Sequence, residues 1–306
     1  MSIPTSRSTE PANIFLDIDK CTGCGLCVEV CKDFSYKIVD HKVVKSDTPV
    51  FGCVACGHCM MVCPAGVIAI EGRTLSPVQL FDLPDKSTAP TYNSLLAMLQ
   101  RRRSVREFKD LPVEAGIINQ ILDAAQTAPM GIPPSDVRVL VLENKQQVHT
   151  FAVELSKYLS GIRWMASNWF ILLMRPFWGK ANTEIMQSFI KPVFDIYVDT
   201  MNKGKNLINY DAPLAMYFYG SPYCDPADPI IAATYAMLAG ESLGLGTCMI
   251  GGIHPFIQYG KKARLFRKKY GIKYASREGL FVIFGYSDVR YQRGVKRTFA
   301  DIHRVG

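Results

Sequence analysis

Eight cysteines carry the most legible chemistry in this 306-residue sequence. Cys21, Cys24, Cys27 and Cys31 follow the spacing C-x2-C-x2-C-x3-C, and Cys53, Cys56, Cys59 and Cys63 repeat it, with Pro64 after the second set. Three thiolates on one tight loop can grip three irons of a cubane cluster, and the fourth cysteine of each run lies a turn further along. Such clusters move single electrons. A disulfide framework would suit a short secreted domain, whereas this chain is long and opens with no signal-peptide pattern. Zinc takes its ligands as two pairs, and a triplet plus a distant fourth, twice over, fits it poorly. Cys224 and Cys248 stand alone and read as small buried hydrophobes. So many free thiols imply a reducing compartment, hence the cytoplasm.

Hydrophobic residues make up 48% of the chain and charged residues 20%, the balance of a globular protein long enough for a small module and one sizeable domain. The formal charge is +8. A cluster core of charge 2+ on four thiolates nets about −2, so two clusters lower the balance to about +4, and a bound phosphate lowers it further. Bulk charge is therefore no argument for nucleic acid. Trp164 to Met174 is the most apolar run, broken by Ser167 and Asn168 and bracketed by Arg163 and Arg175. It is shorter than the roughly 20 residues a spanning helix needs. Peripheral attachment to a membrane stays open, with a pocket cover or a core helix as the plainer readings.

The elements that must position this chemistry fall into two patterns. Residues before Asn13 read as loose. Ile14 to Ile18 predicts a short strand, Lys37 to Val44 a hairpin between the cysteine runs, and Val67 to Ile70 a partner for the first strand. Pro77, Pro84 and Pro90 mark a linker. Helices and strands then alternate. A short helix starts near Leu95, with Asn93 or Ser94 as its cap. Ile117, Ile118, Ile121, Leu122 and Ala125 recur at helical spacing. Val137 to Leu142, Leu214 to Tyr219 and Leu280 to Phe284 read as strands. Residues 146 to 205 read as mainly helical, interrupted at Pro176 and Pro192. Asp228 and Pro229 predict the start of a helix reaching about Leu243. Its Ala232, Ala236 and Gly240 form a small-residue face suited either to a subunit interface or to a buried core helix. Lys261 to Lys269 is a basic run of helical character, either a solvated face or a dock for an acidic electron carrier.

Three segments of the second half could hold a phosphorylated, flat ligand. Arg101, Arg102, Arg103, Ser104 and Arg106 form a dense set of phosphate donors, because guanidinium forks match phosphate oxygens. Gly244-Leu245-Gly246-Thr247-Cys248-Met249-Ile250-Gly251-Gly252 allows close backbone approach and does not fit the Rossmann fingerprint. Tyr291-Gln292-Arg293-Gly294-Val295-Lys296-Arg297 is a second basic segment.

In this order, from about Leu95 onward, these segments resemble the nitroreductase family of FMN enzymes, and the N-terminal region resembles a bacterial two-cluster ferredoxin. The fold class implied is α+β, a ferredoxin-like module fused to a nitroreductase-like FMN domain. The boundaries are 1–74 for the module, 75–92 for the linker and 93–306 for the FMN domain, with a helical insertion at about 157–206. The resemblance implies two [4Fe–4S] clusters, one on Cys21, Cys24, Cys27 and Cys63, the other on Cys53, Cys56, Cys59 and Cys31. Lys32 departs from the proline common after the first run. For FMN it implies Arg102, Arg103, Ser104 and Arg106, joined by Arg293, Arg297 and Lys296, around the phosphate and ribityl chain. Ile250, Gly251 and Gly252 would lie along the isoalloxazine, and Pro129, Met130 and Gly131 would touch its other edge. Ile132 to Val137 departs from the family pattern, so only backbone contacts are carried over there, and the insertion receives no flavin ligand.

The function implied is reduction of a small, hydrophobic nitro, quinone or activated unsaturated substrate, with electrons entering from ferredoxin or a similar low-potential donor under anaerobic conditions. Two alternatives stay open: an NAD(P)H-fed flavoprotein that reduces ferredoxin, and a non-enzymatic electron-transfer or redox-sensing subunit. The resemblance also implies a homodimer. Trp164, Trp169, Phe170, Phe177, Trp178, Phe189, Phe194 and Tyr197 read mainly as core, with a roof over the flavin as the functional alternative. No residue is assigned as a proton donor.

Overall fold

The computed structural model describes residues 11–72, 77–131 and 136–305. Ile132 to Ser135 and the residues before Pro11 lie outside them. In the first part, β1 (Asn13–Leu16) pairs antiparallel with β4 (Ile68–Glu71), and β2 (Tyr36–Val39) with β3 (Lys42–Lys45). Between them stand two one-turn helices, α1 (Leu26–Val30) and α2 (His58–Val62). The two halves repeat in backbone angles as well as in sequence. Gly25 and Gly57 both cap their helices with φ 79°, and Gly23 and Ala55, at equivalent positions, are both left-handed at φ 72° and 58°. Left-handed backbone suits glycine, which carries no Cβ to strain it. Met60, Val43 and Ile70 fill the shared core behind the cysteines.

The remaining elements form a four-stranded antiparallel sheet, β5 (Val137–Leu142), β6 (Leu214–Gly220), β8 (Gly279–Gly285) and β7 (Gly246–Ile250), in the order β5-β6-β8-β7. Both faces are covered, and the strand period of two sorts the side chains. Leu214, Met216, Phe218, Val282 and Phe284 pack under α4 (Ala115–Gln126) and α8 (Ala227–Ser242). Ala215, Tyr217, Tyr219, Phe281 and Ile283 face α5 (Lys145–Ser160) and α7 (Lys191–Asn202). A further helix, α3 (Tyr92–Arg101), buries no residue of its own. Two more, α6 (Asn168–Ile185) and α9 (Lys261–Lys269), complete the set.

Several local expectations are corrected. The cap of α3 is Thr91, whose Oγ1 accepts from the Ser94 N–H at 3.3 Å, so neither Asn93 nor Ser94 caps it. The kink in α6 falls at Gly179, φ 73° and ψ 176°, while Pro176 stays inside the helix and Pro192 sits in the first turn of α7. A π-helical stretch, Met186–Ile190, joins α6 to α7. Asp225 rather than Asp228 satisfies the start of α8, its Oδ1 accepting from the Ala227 N–H at 2.8 Å. The aromatic insertion is not core for the most part. Trp164, Trp169, Phe177 and Phe189 are 53%, 59%, 79% and 57% exposed, and Phe194 alone of the eight is buried. No helix among the described residues is long and apolar enough to cross a membrane.

The small-residue face of α8 packs into the chain's own core. Gly240 lies so close to the sheet that an added Cβ would stand 2.8 Å from Phe284 Cδ1 and 3.2 Å from Thr247 Cγ2. Overpacking of this kind costs about 1–3 kcal/mol, against about 1 kcal/mol gained in helix propensity. Gly240→Ala is therefore expected to lower Tm by thermal denaturation.

A second prediction arises beneath β6 and β8. His254 is buried, and its Nδ1 accepts from the Tyr217 hydroxyl at 2.8 Å, while Gln258 Nε2 reaches Tyr217 Oη at 3.0 Å. Burial lowers the His254 pKa, with the Arg277 carbonyl and Glu278 opposing. The unfolded chain thus binds the proton more readily, so the stabilisation is full above the unfolded value of about 6.5 and is lost as pH falls below it. Tm of the wild type is expected to drop more steeply from pH 7 to 5.5 than that of His254→Gln.

Candidate functional site

The cysteine sites are built by the two helix-capping turns. Cys21, Cys24, Cys27 and Cys63 line one small cavity, so the fourth cysteine of the second run joins the triplet of the first. Cys31 in turn is close enough to Cys53 and Cys59 to raise both thiols further, behind the dominant effect of burial. Burial pushes Cys59 up to about 11, opposed by the Tyr36 hydroxyl 3.2 Å from its sulfur. Backbone N–H groups point at the sulfurs, Gly23 and Val43 at Cys21, both at 3.4 Å, and Val67 at Cys63 at 3.3 Å. Among the described residues no three His, Cys, Asp or Glu side chains gather as ligands of a single metal ion. Four thiols around a common cavity suit the wider body of a cubane, and the N–H donors would stabilise sulfur charge.

Around the four-stranded sheet the two basic segments are brought together by backbone pairing. The segment from Ser104 runs parallel to β7, with a bridge at Ser104 and Thr247 and the Val105 N–H donating to the Thr247 carbonyl at 2.9 Å. On its other side the chain leaving β8 runs antiparallel to it. Lys109 N–H donates to the Tyr286 carbonyl at 2.8 Å, and Asp288 N–H to the Glu107 carbonyl at 3.0 Å. Tyr291 then ties its hydroxyl to the Ser104 carbonyl at 3.3 Å. About 190 residues of chain are spanned by these few bonds, and the guanidinium groups converge as a result.

Two adjoining cavities follow. One, of about 510 Å³, is walled by Arg101, Arg103, Arg290, Arg293 and Glu241; the other, of about 840 Å³, by Arg101, Arg102, Arg103, Lys296 and Arg297. Arg103 faces both, held by Nη1 donating to the Gln100 carbonyl at 2.7 Å and the Arg102 carbonyl at 2.6 Å. Arg101 is one of the phosphate donors of the first basic run, whereas Arg290, immediately before the second, and Glu241 were not among the expected ligands, and nothing in the sequence marks Glu241. Burial raises its carboxyl pKa, while the Thr247 hydroxyl at 2.7 Å and then Arg102 pull it down.

Arg106 departs from this group and lies over the Tyr210 ring, 5.6 Å from its centroid. Beyond the end of β7 an added Cβ on Gly251 would meet nothing within 4 Å, so this backbone borders open space. Gly252 instead touches the insertion, with Tyr197 Oη 2.8 Å from where its Cβ would stand and Val193 at 3.8 Å. Pro129 and Met130 line a separate apolar cavity of about 350 Å³ beside β5. The turn is fixed by Asp228, whose Oδ1 accepts from the Gly131 N–H at 2.9 Å. That long-range role has no counterpart in local sequence.

The basic helix α9 is partly consumed by structure. Arg267 donates to the Ile257 and Gln258 carbonyls, Lys262 to the Gly161 carbonyl at 2.9 Å, and Lys269 pairs with Glu154 at 2.6 Å.

A family model described as the nitroreductase family matches residues 99–286, and one described as a 4Fe-4S binding domain matches residues 14–33. A curated relative, FMN reductase [NAD(P)H] of Bacillus subtilis, is 25% identical over 161 residues. That alignment covers 53% of this chain and 55% of the relative, so the chain spans about half the length of the curated protein it matches. A nitroreductase from Bacteroides fragilis, solved with bound FMN, is similar at a TM-score of 0.50 and 19% identity over 69% of this chain and all of its own. A Desulfitobacterium hafniense nitroreductase solved with FMN aligns at 24% identity and a TM-score of 0.47, over 68% of this chain and 98% of its own. The first of these likenesses supports the α+β fold. With a matched family spanning most of the second domain and an iron–sulfur motif ahead of it, the chain belongs to the nitroreductase family and carries an N-terminal 4Fe-4S binding motif.

Proposed function

We propose that this chain is an iron–sulfur flavoprotein reductase, in which residues 1–74 collect single electrons from a low-potential donor and residues 93–306, beyond a linker at 75–92, deliver them in pairs to a small electrophile. The observation that carries the reading is the convergence of Arg102, Arg103, Arg293 and Arg297 on two adjoining cavities, one of them beside β7, in a chain that also gathers Cys63 with Cys21, Cys24 and Cys27, and brings Cys31 near Cys53 and Cys59. The FMN named for the relatives supports FMN as the ligand.

The residues fit that group. Arginine forks suit a phosphate, and the open backbone at Gly251 leaves room for a flat ring. Arg102, Arg103, Ser104, Arg293 and Arg297, with Lys296, would hold the phosphate and ribityl chain. Arg106, set apart over Tyr210, would serve nearer the ring. Ile250, Gly251 and Gly252 would present backbone along it, and the Asp228-braced turn of Pro129, Met130 and Gly131 would close its far edge. FMN bound there would convert electrons received singly into a hydride. The eight cysteines would hold two [4Fe–4S] clusters, with Cys63 and Cys31 exchanged between the runs. The substrate class is a hydrophobic nitro, quinone or activated unsaturated compound.

A homodimer accompanies this reading. Leu95 and Leu99 on α3 and Val295, Phe299 and Ile302 in the C-terminal segment are apolar and 40–82% exposed, which a second copy would cover. The nicotinamide in the curated relative's name supports a second reading, direct reduction by NAD(P)H.

The test is anaerobic reconstitution with iron, sulfide and FMN, followed by turnover with menadione, nitrobenzene and an enoate. Tight FMN binding with turnover of at least one acceptor is expected. Failure to retain FMN, or no turnover with any of them, would sink the proposal.

A further inference from the structure

We infer that Tyr197 is the hydrogen-bond donor that grips the oxygen of the substrate in this site. The inference rests on the reading that the open space beside Gly251 is where the flavin and its substrate meet.

Tyr197 comes from the helical insertion, yet its hydroxyl reaches the end of β7 and stands against Gly252. The helix beneath it is pinned. Arg163 forks onto Asp195 and Asp199, two residues either side of Tyr197, each at 2.8 Å, and Phe194 and Val198 are buried. The hydroxyl is thus held in place, and it has no hydrogen-bond partner among the described residues. Its neighbours in the core do: Tyr217 bonds His254, Tyr158 the Phe256 carbonyl at 2.8 Å, and Tyr270 Glu154 at 2.6 Å. A half-buried hydroxyl with no protein partner must bond to water or to a ligand, and the open space at the neighbouring Gly251 leaves room for one.

Burial, and secondarily Tyr210, pushes the Tyr197 pKa up to about 12. The phenol therefore keeps its proton throughout the neutral range and is available to donate it to an acceptor oxygen. An oxygen on which negative charge builds during reduction, as in a quinone, a nitro group or an enoate, has that character. Donors aimed at developing charge commonly contribute about 10²–10³ in rate.

The experiment uses the reconstituted holoprotein and its Tyr197→Phe variant, which keeps the ring and removes the hydroxyl. Turnover with menadione is compared with that of ferricyanide, a one-electron acceptor that needs no hydrogen bond. The menadione-to-ferricyanide rate ratio is expected to fall about 100-fold. Equilibrium binding to the oxidised protein, read from the flavin absorption, is expected to weaken about 3–10-fold for menadione and to stay the same for 2-methylnaphthalene, which lacks the oxygens. Gly252→Ala, whose methyl would press on the hydroxyl, should lower the same ratio. An unchanged ratio with unchanged menadione binding overturns the inference, as does a variant whose only defect is weaker FMN binding. Loss of FMN or of all turnover in the wild type would instead overturn the reading on which it rests.

Discussion

Replacing Cys63 with alanine is expected to remove the cluster of the other cysteine run. Cys63 follows Cys59 by only four residues, yet its thiol shares a cavity with Cys21, Cys24 and Cys27. Iron should fall from about eight to about four atoms per chain. The Cys31→Ala variant should show the same count while losing the set around Cys53, Cys56 and Cys59. FMN content should be untouched in both, since the cysteine core and the sheet core are built from separate residues. Electron delivery from a low-potential donor should then collapse with the flavin still in place. Iron and acid-labile sulfide analysis, with electron paramagnetic resonance of the reduced protein, checks the counts. Retention of all the iron in Cys63→Ala would show that the fourth ligand comes from elsewhere.

The second large effect is expected at Arg103, which like Arg101 faces both cavities and whose Nη1 is in addition anchored to backbone carbonyls. Charge-assisted hydrogen bonds contribute about 1.5–3 kcal/mol, so Arg103→Ala should weaken FMN binding about 10–100-fold. Lysine should rescue little, because a single ammonium cannot reproduce the fork. Riboflavin, which lacks the phosphate, should bind the wild type and the variant alike. Fluorescence titration of the flavin-free protein with each ligand separates these outcomes. An equal loss for riboflavin would move Arg103 from the phosphate to the ring.

The features legible in the sequence are those whose signal is local. The cysteine spacing repeats within each run, the glycine ahead of each short helix recurs with it, and the unbroken apolar run of Leu214 to Tyr219 marks a strand buried on both faces. The convergence of two arginine segments nearly 200 residues apart was legible only through family resemblance, since it is made by backbone bonds such as Lys109 to Tyr286. Residues that act over long distances left no periodic trace. Asp228 looks like a helix cap and instead braces the Gly131 turn, Glu241 looks like a solvated helix end and lines the arginine cavity, and Tyr197 hides among eight other aromatics of the insertion. The exposed tryptophans show the converse. Composition suggested core, but Trp164 stands on the short turn ahead of α6, and α6, which carries Trp169, turns most of its apolar side chains outward. Gly179, not Pro176, breaks that helix, because its positive φ takes the backbone out of the helical region altogether, which glycine adopts without strain.

In the proposed reductase, electrons pass from the clusters to the flavin, and stopped-flow reduction reads that order. Reconstituted wild type and Cys63→Ala are mixed anaerobically in a stopped-flow instrument, first with reduced low-potential ferredoxin and then with NADH, and the flavin absorption is followed. Fast bleaching by ferredoxin in the wild type, its loss in Cys63→Ala, and slow or absent bleaching by NADH are the results predicted. Rapid bleaching by NADH that is indifferent to Cys63 would contradict the account and reverse the direction of flow.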